Sequence, residues 1–144
     1  MMLYPRKPKF FKSFSNKKIL NKTQNEKKTI SKYSQFGLIS HESGFIPNFQ
    51  IEAVRLVLRR VLRKKNQIFF HMFPNQPITK KPNEIRLGRG KGNFKYWSFQ
   101  TQKNKQIIEI KGVNSKIIIS ALQLIRCKLS IKTYIFNQKS RWTL

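Results

Sequence analysis

The chain has 144 residues, enough for one domain with a modest core and too few for two. Its 31 Lys and Arg face five acidic residues, all Glu, for a formal charge of +26; self-repulsion at that density calls for a polyanion, a nucleic acid before a membrane surface. A hydrophobic content of 39% excludes a wholly disordered chain, and no apolar run approaches the roughly 20 residues of a membrane-spanning helix.

Residues 1–32 read as a basic arm without sustained periodicity, an extended tail that orders on its partner. Its cations include Arg6, Lys7, Lys9 and Lys12; its aromatics Tyr4, Phe10, Phe11 and Phe14 can stack on bases or fill pockets. A folded part, residues 33–137, opens on a short strand at Phe36–Ile39. Asn48 to Lys65 predicts an amphipathic helix with Asn48 as cap and Glu52 near the positive end of its dipole. Ile51, Val54, Val57, Leu58, Val61 and Leu62 share one arc. Arg55, Arg59 and Arg63 lie opposite with Arg60 and Lys64, and no acid sits among them, which favours polyanion contact over plain solvation. Gln67 to Phe73 reads as a strand, with His71 as a satisfied structural histidine.

Pro74, Pro77 and Pro82 then predict a long irregular connection through Lys80 and Lys81. It leads into Arg86-Leu87-Gly88-Arg89-Gly90-Lys91-Gly92, where glycines alternate with cations. Glycine lets the backbone approach a partner closely, and successive N–H groups can cradle an anion. Lys91 is followed by Gly92 rather than Ser or Thr, so this is no Walker loop. Tyr96-Trp97 in a strand follows rather than a helix, so it is no dinucleotide fingerprint. Tyr96–Gln100 and Lys105–Ile110 read as a hairpin. Asn114 or Ser115 caps a second helix, Lys116–Lys128, with Ile117, Ala121, Leu122, Leu124 and Ile125 as its buried stripe. Cys127, the single cysteine, reads as a small core-edge residue and excludes an intramolecular disulfide and a cysteine-based zinc cluster. Ile131–Phe136 forms a last strand before a basic tail, 138–144. The predicted class is α+β, a single domain in the order β-α-β-loop-β-β-α-β.

Catalysis has little to work with. Glu26, Glu42, Glu52, Glu84 and Glu109 are dispersed, and a two-metal nuclease needs clustered carboxylates. The expectation is a non-enzyme with no metal and no cofactor. Two other classes compete: a cationic membrane-binding protein using the amphipathic helix, and an RNA-processing factor. The first leaves the glycine loop unexplained and the second lacks acids.

Seven segments carry a family resemblance. They are Met2-Leu3-Tyr4-Pro5-Arg6-Lys7-Pro8-Lys9-Phe10, Gln50–Ala53, Phe73–Pro82, Arg86–Gly92, Tyr96-Trp97, Gly112-Val113 and Lys128–Thr133. In order and spacing the chain resembles the universal large-subunit ribosomal proteins called L sixteen in bacterial nomenclature. The resemblance implies an α/β-hammerhead-like fold on large-subunit rRNA near the peptidyl-transferase region, beside neighbouring large-subunit proteins and without membrane insertion. It implies that residues 78–94 project toward tRNA in the aminoacyl site, with Lys80, Lys81, Arg86, Gly88, Arg89, Gly90, Lys91 and Gly92 facing it. It places Arg6, Lys7, Lys9, Lys12, Arg55, Arg59, Arg60, Arg63, Lys64 and Lys132 on rRNA. Leu87 stands where the family usually has Met, Arg89 where it has Lys, Lys95 where it has Glu, and Ser130 where it has Pro. The match opens at the family's first residues, leaving no room for an added transit peptide. With a Lys-, Asn-, Ile- and Phe-rich composition, the expected origin is an organelle-encoded mitochondrial ribosome, with a plastid or bacterial cytoplasm as alternatives.

Overall fold

Two fully buried runs fix the centre of the protein. The computed structural model describes residues 2–14, 34, 36–62, 66–86, 88, 90–112 and 114–137. In it β1 (Phe36–Ser40) is buried along its whole length, and β6 (Gln106–Lys111) from Gln106 to Ile110. Continuous apolar runs of this length suit strands covered on both faces. The two pair antiparallel, flanked by β3 (Gln67–Phe70) and β7 (Thr133–Asn137), in the order β3-β6-β1-β7. Gly37 of β1 lies so close to β6 that a Cβ would meet Gln106 Nε2 at 2.7 Å and the Ile108 carbonyl at 3.0 Å.

A second sheet has the order β2-β5-β4, with β2 at Gly44–Pro47, β4 at Gln76–Lys80 and the nine-residue β5 at Asn93–Thr101. Two helices complete the domain, α1 (Asn48–Leu62) and α2 (Ser115–Arg126), which pack on each other. Ile51, Val54, Leu58 and Leu62 of α1 join Ile118, Ala121, Leu122 and Ile125 of α2 in one core with β1, β6 and Leu3 of the arm. Asn114 caps α2, accepting from the backbone N–H groups of Lys116 and Ile117.

The α+β class and single domain hold; several details do not. Two strands, β2 and β4, were absent from the expected order. Both carry proline and both lie at sheet edges, where the missing N–H faces away from the ladder. Pro77 is buried opposite Trp97 in a segment expected to be irregular. The expected hairpin has its turn at Gln102–Lys105, with Asn104 at φ 62°, but its arms do not pair. β5 bonds to β2 and β4, whereas β6 bonds to β1 and β3, so the turn carries the chain from one sheet to the other. The first helix begins at Asn48 itself, and the last strand starts at Thr133, not Ile131. On α2 the stripe is rotated: Ile118 is buried while Ile117 and Leu124 are 44% and 53% exposed. Cys127 is exposed rather than at the core edge.

The rotated stripe fixes an expected contrast. Leu122→Ala removes a fully buried side chain and should cost about 2–5 kcal/mol. Leu124→Ala should stay within about 0.5 kcal/mol. Urea unfolding of the two variants checks this; equal losses would contradict the assigned face.

Candidate nucleic-acid interface

The glycine loop is the connection of the β4–β5 hairpin, and close backbone approach closes its neck. A Cβ on Gly92 would meet the Lys80 carbonyl carbon at 2.6 Å, its oxygen at 2.7 Å and the Lys81 nitrogen at 2.7 Å. Only glycine fits there without moving main chain. At the tip the demand differs: Gly88 and Gly90 have φ of +97° and +80°, with no atom within 4 Å of a built Cβ. These two are required by backbone conformation and leave open space on their outer side. Lys81 Nζ donates across the loop to the Gly88 carbonyl at 2.5 Å. Arg86 is exposed beside the glycines. Leu87 and Arg89 lie outside the described residues.

The arm docks on this hairpin. The Phe11 ring lies 6.1 Å from Phe94 and 6.3 Å from Trp97, and Phe94 lies 5.2 Å from Trp97. Lys91 Nζ donates to the Ser13 carbonyl and sits 4.2 Å from the Phe14 ring centroid. Lys12 Nζ donates back to the Lys91 carbonyl at 3.4 Å. The arm was expected to be an extended tail that orders on its partner; residues 2–14 instead pack on the domain. Arg6, Lys7, Lys9 and Lys12 remain on the outside.

On α1, Arg59 and Arg60 are exposed, and Arg63 and Lys64 lie outside the described residues. Arg55 departs from the expectation of an uncompensated face. It forms a two-pronged hydrogen-bonded pair with Glu52, three residues earlier, through Nε at 2.9 Å and through Nη2. Spacing was the available signal, since i and i+3 share a helix face as i and i+4 do. Arg55 holds the Glu52 carboxyl below its usual value, chiefly by this hydrogen bond. The pair is therefore present above the ordinary carboxylate range and is lost as pH falls through the lowered value.

Lys132 does not join this assembly. It lies with Arg126 and His41 along a groove between the end of α2 and β7. His71 is satisfied as expected, its Nε2 3.0 Å from Oε1 of the buried Glu109. Among the described residues, no three His, Cys, Asp or Glu side chains could jointly hold a metal ion.

Comparison with known proteins fixes the class first: residues 5–136 match the family model described as ribosomal protein L16p/L10e. The chain is also 36% identical over 138 residues to the large ribosomal subunit protein uL16 of Blochmanniella pennsylvanica (strain BPEN), covering 96% of this chain and 100% of that protein. The chain belongs to the ribosomal protein L16p/L10e family.

The aromatic contact between arm and hairpin yields a direct test. In a Trp142→Phe background, Trp97 is the sole tryptophan. Phe11→Ala should weaken arm docking by about 0.5–1.5 kcal/mol, red-shift Trp97 fluorescence and speed proteolysis of the arm. An unchanged spectrum and digestion rate would contradict the docked arrangement.

Proposed function

We propose that the chain is a structural component of the large ribosomal subunit that binds rRNA through its arm and the basic side of α1, and that the β4–β5 loop faces tRNA in the aminoacyl site. The observation that carries this reading is the division of labour among the three loop glycines. Gly92 serves the neck, where main chain meets main chain. Gly88 and Gly90 serve an open tip beside Arg86 and Lys91, a geometry suited to close backbone approach by a phosphodiester chain. Family membership supports the ribosomal role and neighbouring ribosomal proteins as partners. Arg6, Lys7, Lys9, Lys12, Arg59 and Arg60 supply the anchoring charge, and Arg63 and Lys64 continue the same basic run in sequence, whereas Lys132 lies apart in the groove between α2 and β7. Composition supports a mitochondrial ribosome as its place of work. The role is architectural rather than catalytic.

Subunits assembled with Gly90→Val or Arg86→Ala should incorporate the protein normally yet lose aminoacyl-tRNA affinity. At Gly90 a side chain must adopt a left-handed conformation costing about 1–3 kcal/mol. Normal tRNA binding by both fully incorporated variants would refute the tRNA-facing role.

Anchoring is tested separately by salt dependence of RNA binding. Replacing Arg59 and Arg60 by Gln should flatten the log–log slope by up to about 1.8, from about 0.9 per phosphate contact. Arg55→Gln should change it less, because Glu52 already compensates that charge. A larger effect at Arg55 than at Arg59 would contradict the assignment.

A further inference from the structure

The groove between α2 and β7 has no part in the arm, the α1 face or the loop, yet it has the features of a ligand site. It is about 740 Å³ in volume, large enough for a nucleotide. Leu129 and Ile131 give it apolar walls, while Arg126, Lys132 and His41 line it with basic groups. Among the described residues, neither the Arg126 nor the Lys132 side chain has a carboxylate partner. Glu42 also lines it, but its Oε1 already accepts the Lys132 backbone N–H at 2.8 Å.

Two further observations point to an occupant. Thr133, 6% exposed, lines the groove, and among the described residues its buried Oγ1 has no hydrogen-bond partner. Buried hydroxyls are normally satisfied, and one left open beside a cavity marks a place where a ligand atom can complete it. Next to it, Tyr134 presents a large aromatic ring, 38% exposed, on an edge strand. Burial pushes its phenol above the ordinary value.

We propose that this groove binds one unpaired RNA nucleotide, its base stacked on Tyr134, its phosphates on Arg126 and Lys132, and a ribose or base hydroxyl, amine or carbonyl bonded to Thr133 Oγ1. Apolar walls with a few placed polar groups suit a base, and flanking cations suit the backbone on either side. A duplex does not fit, because its bases are stacked on one another and unavailable to the tyrosine. The inference rests on the chain being an RNA-binding ribosomal protein, and the nucleotide can come from rRNA or tRNA.

The test titrates the full chain with a short single-stranded oligoribonucleotide and with an RNA duplex, with circular dichroism confirming the fold of each variant. Tyr134→Leu should weaken single-strand binding about tenfold, the scale of one lost base stack, and leave duplex binding and the salt slope unchanged. Arg126→Gln should lower the single-strand slope by about 0.7. The near-isosteric Thr133→Val should reduce single-strand affinity without changing the slope. Photocrosslinking of thiouridine-substituted rRNA or tRNA to the Leu129–Tyr134 peptide in assembled subunits then identifies the source. Wild-type single-strand affinity in both Tyr134→Leu and Thr133→Val would overturn the groove while leaving the ribosomal reading intact. Absence of any crosslink from thiouridine-substituted RNA to this peptide in assembled subunits would overturn it too. Failure of the wild-type chain to bind either RNA would overturn both readings together.

Discussion

Charge scarcity of one sign organises this molecule. Five carboxylates face 31 Lys and Arg, and three of the five are spent inside the fold. Glu109 is buried against His71, Glu52 is bonded to Arg55, and Glu42 accepts the Lys132 N–H. Each ties together elements that the core alone would hold less firmly: β6 to the end of β3, one turn of α1 to the next, and the β1–β2 turn to the start of β7. Among the described residues, no other surface cation has a carboxylate partner. Self-repulsion across such a surface weakens the compact domain, and an external polyanion relieves it. Stability of the fold and the proposed binding of RNA are two parts of one electrostatic balance.

The second constraint is the closed neck of the β4–β5 hairpin. Contact of Gly92 with the Lys80 and Lys81 backbone holds the loop's two stems together, and the Phe11–Phe94–Trp97 cluster braces the β5 stem from the arm. The basic arm and the loop are thereby mechanically linked, so anchoring one segment orients the other. The link runs through rings and main-chain carbonyls rather than through ion pairs, which suits a protein with so few acids. The same segments therefore cannot be sorted into arm and loop functions by charge alone.

Much of this was legible from the residues, and the failures have physical causes. The helices stood out because caps and 3.6-residue spacing are local. The loop stood out because alternating glycine and cation has few structural purposes. β2 and β4 were missed because proline signals an interrupted strand, and its tolerance at a sheet edge depends on partners far away in sequence. The β5–β6 turn was found but its pairing was not, since adjacency in sequence favours a hairpin and only the assembled sheets show the crossover. On α2, three consecutive isoleucines, Ile117 to Ile119, give no sharp phase, so tertiary packing chose Ile118 over Ile117. The groove rests on Thr133, whose unsatisfied hydroxyl is invisible before folding. Ser130, where the family resemblance leads to proline, has a use here: its N–H donates to Gln50 Oε1 at 3.2 Å, a bond proline cannot make.

The central claim is that the surplus positive charge belongs to a ribosomal particle. Its most direct test is sedimentation of the epitope-tagged chain through a sucrose gradient at increasing salt. The account predicts that the chain comigrates with large subunits at low and moderate salt and is released only at high ionic strength. A chain found free, or on the small subunit, at low salt would contradict it.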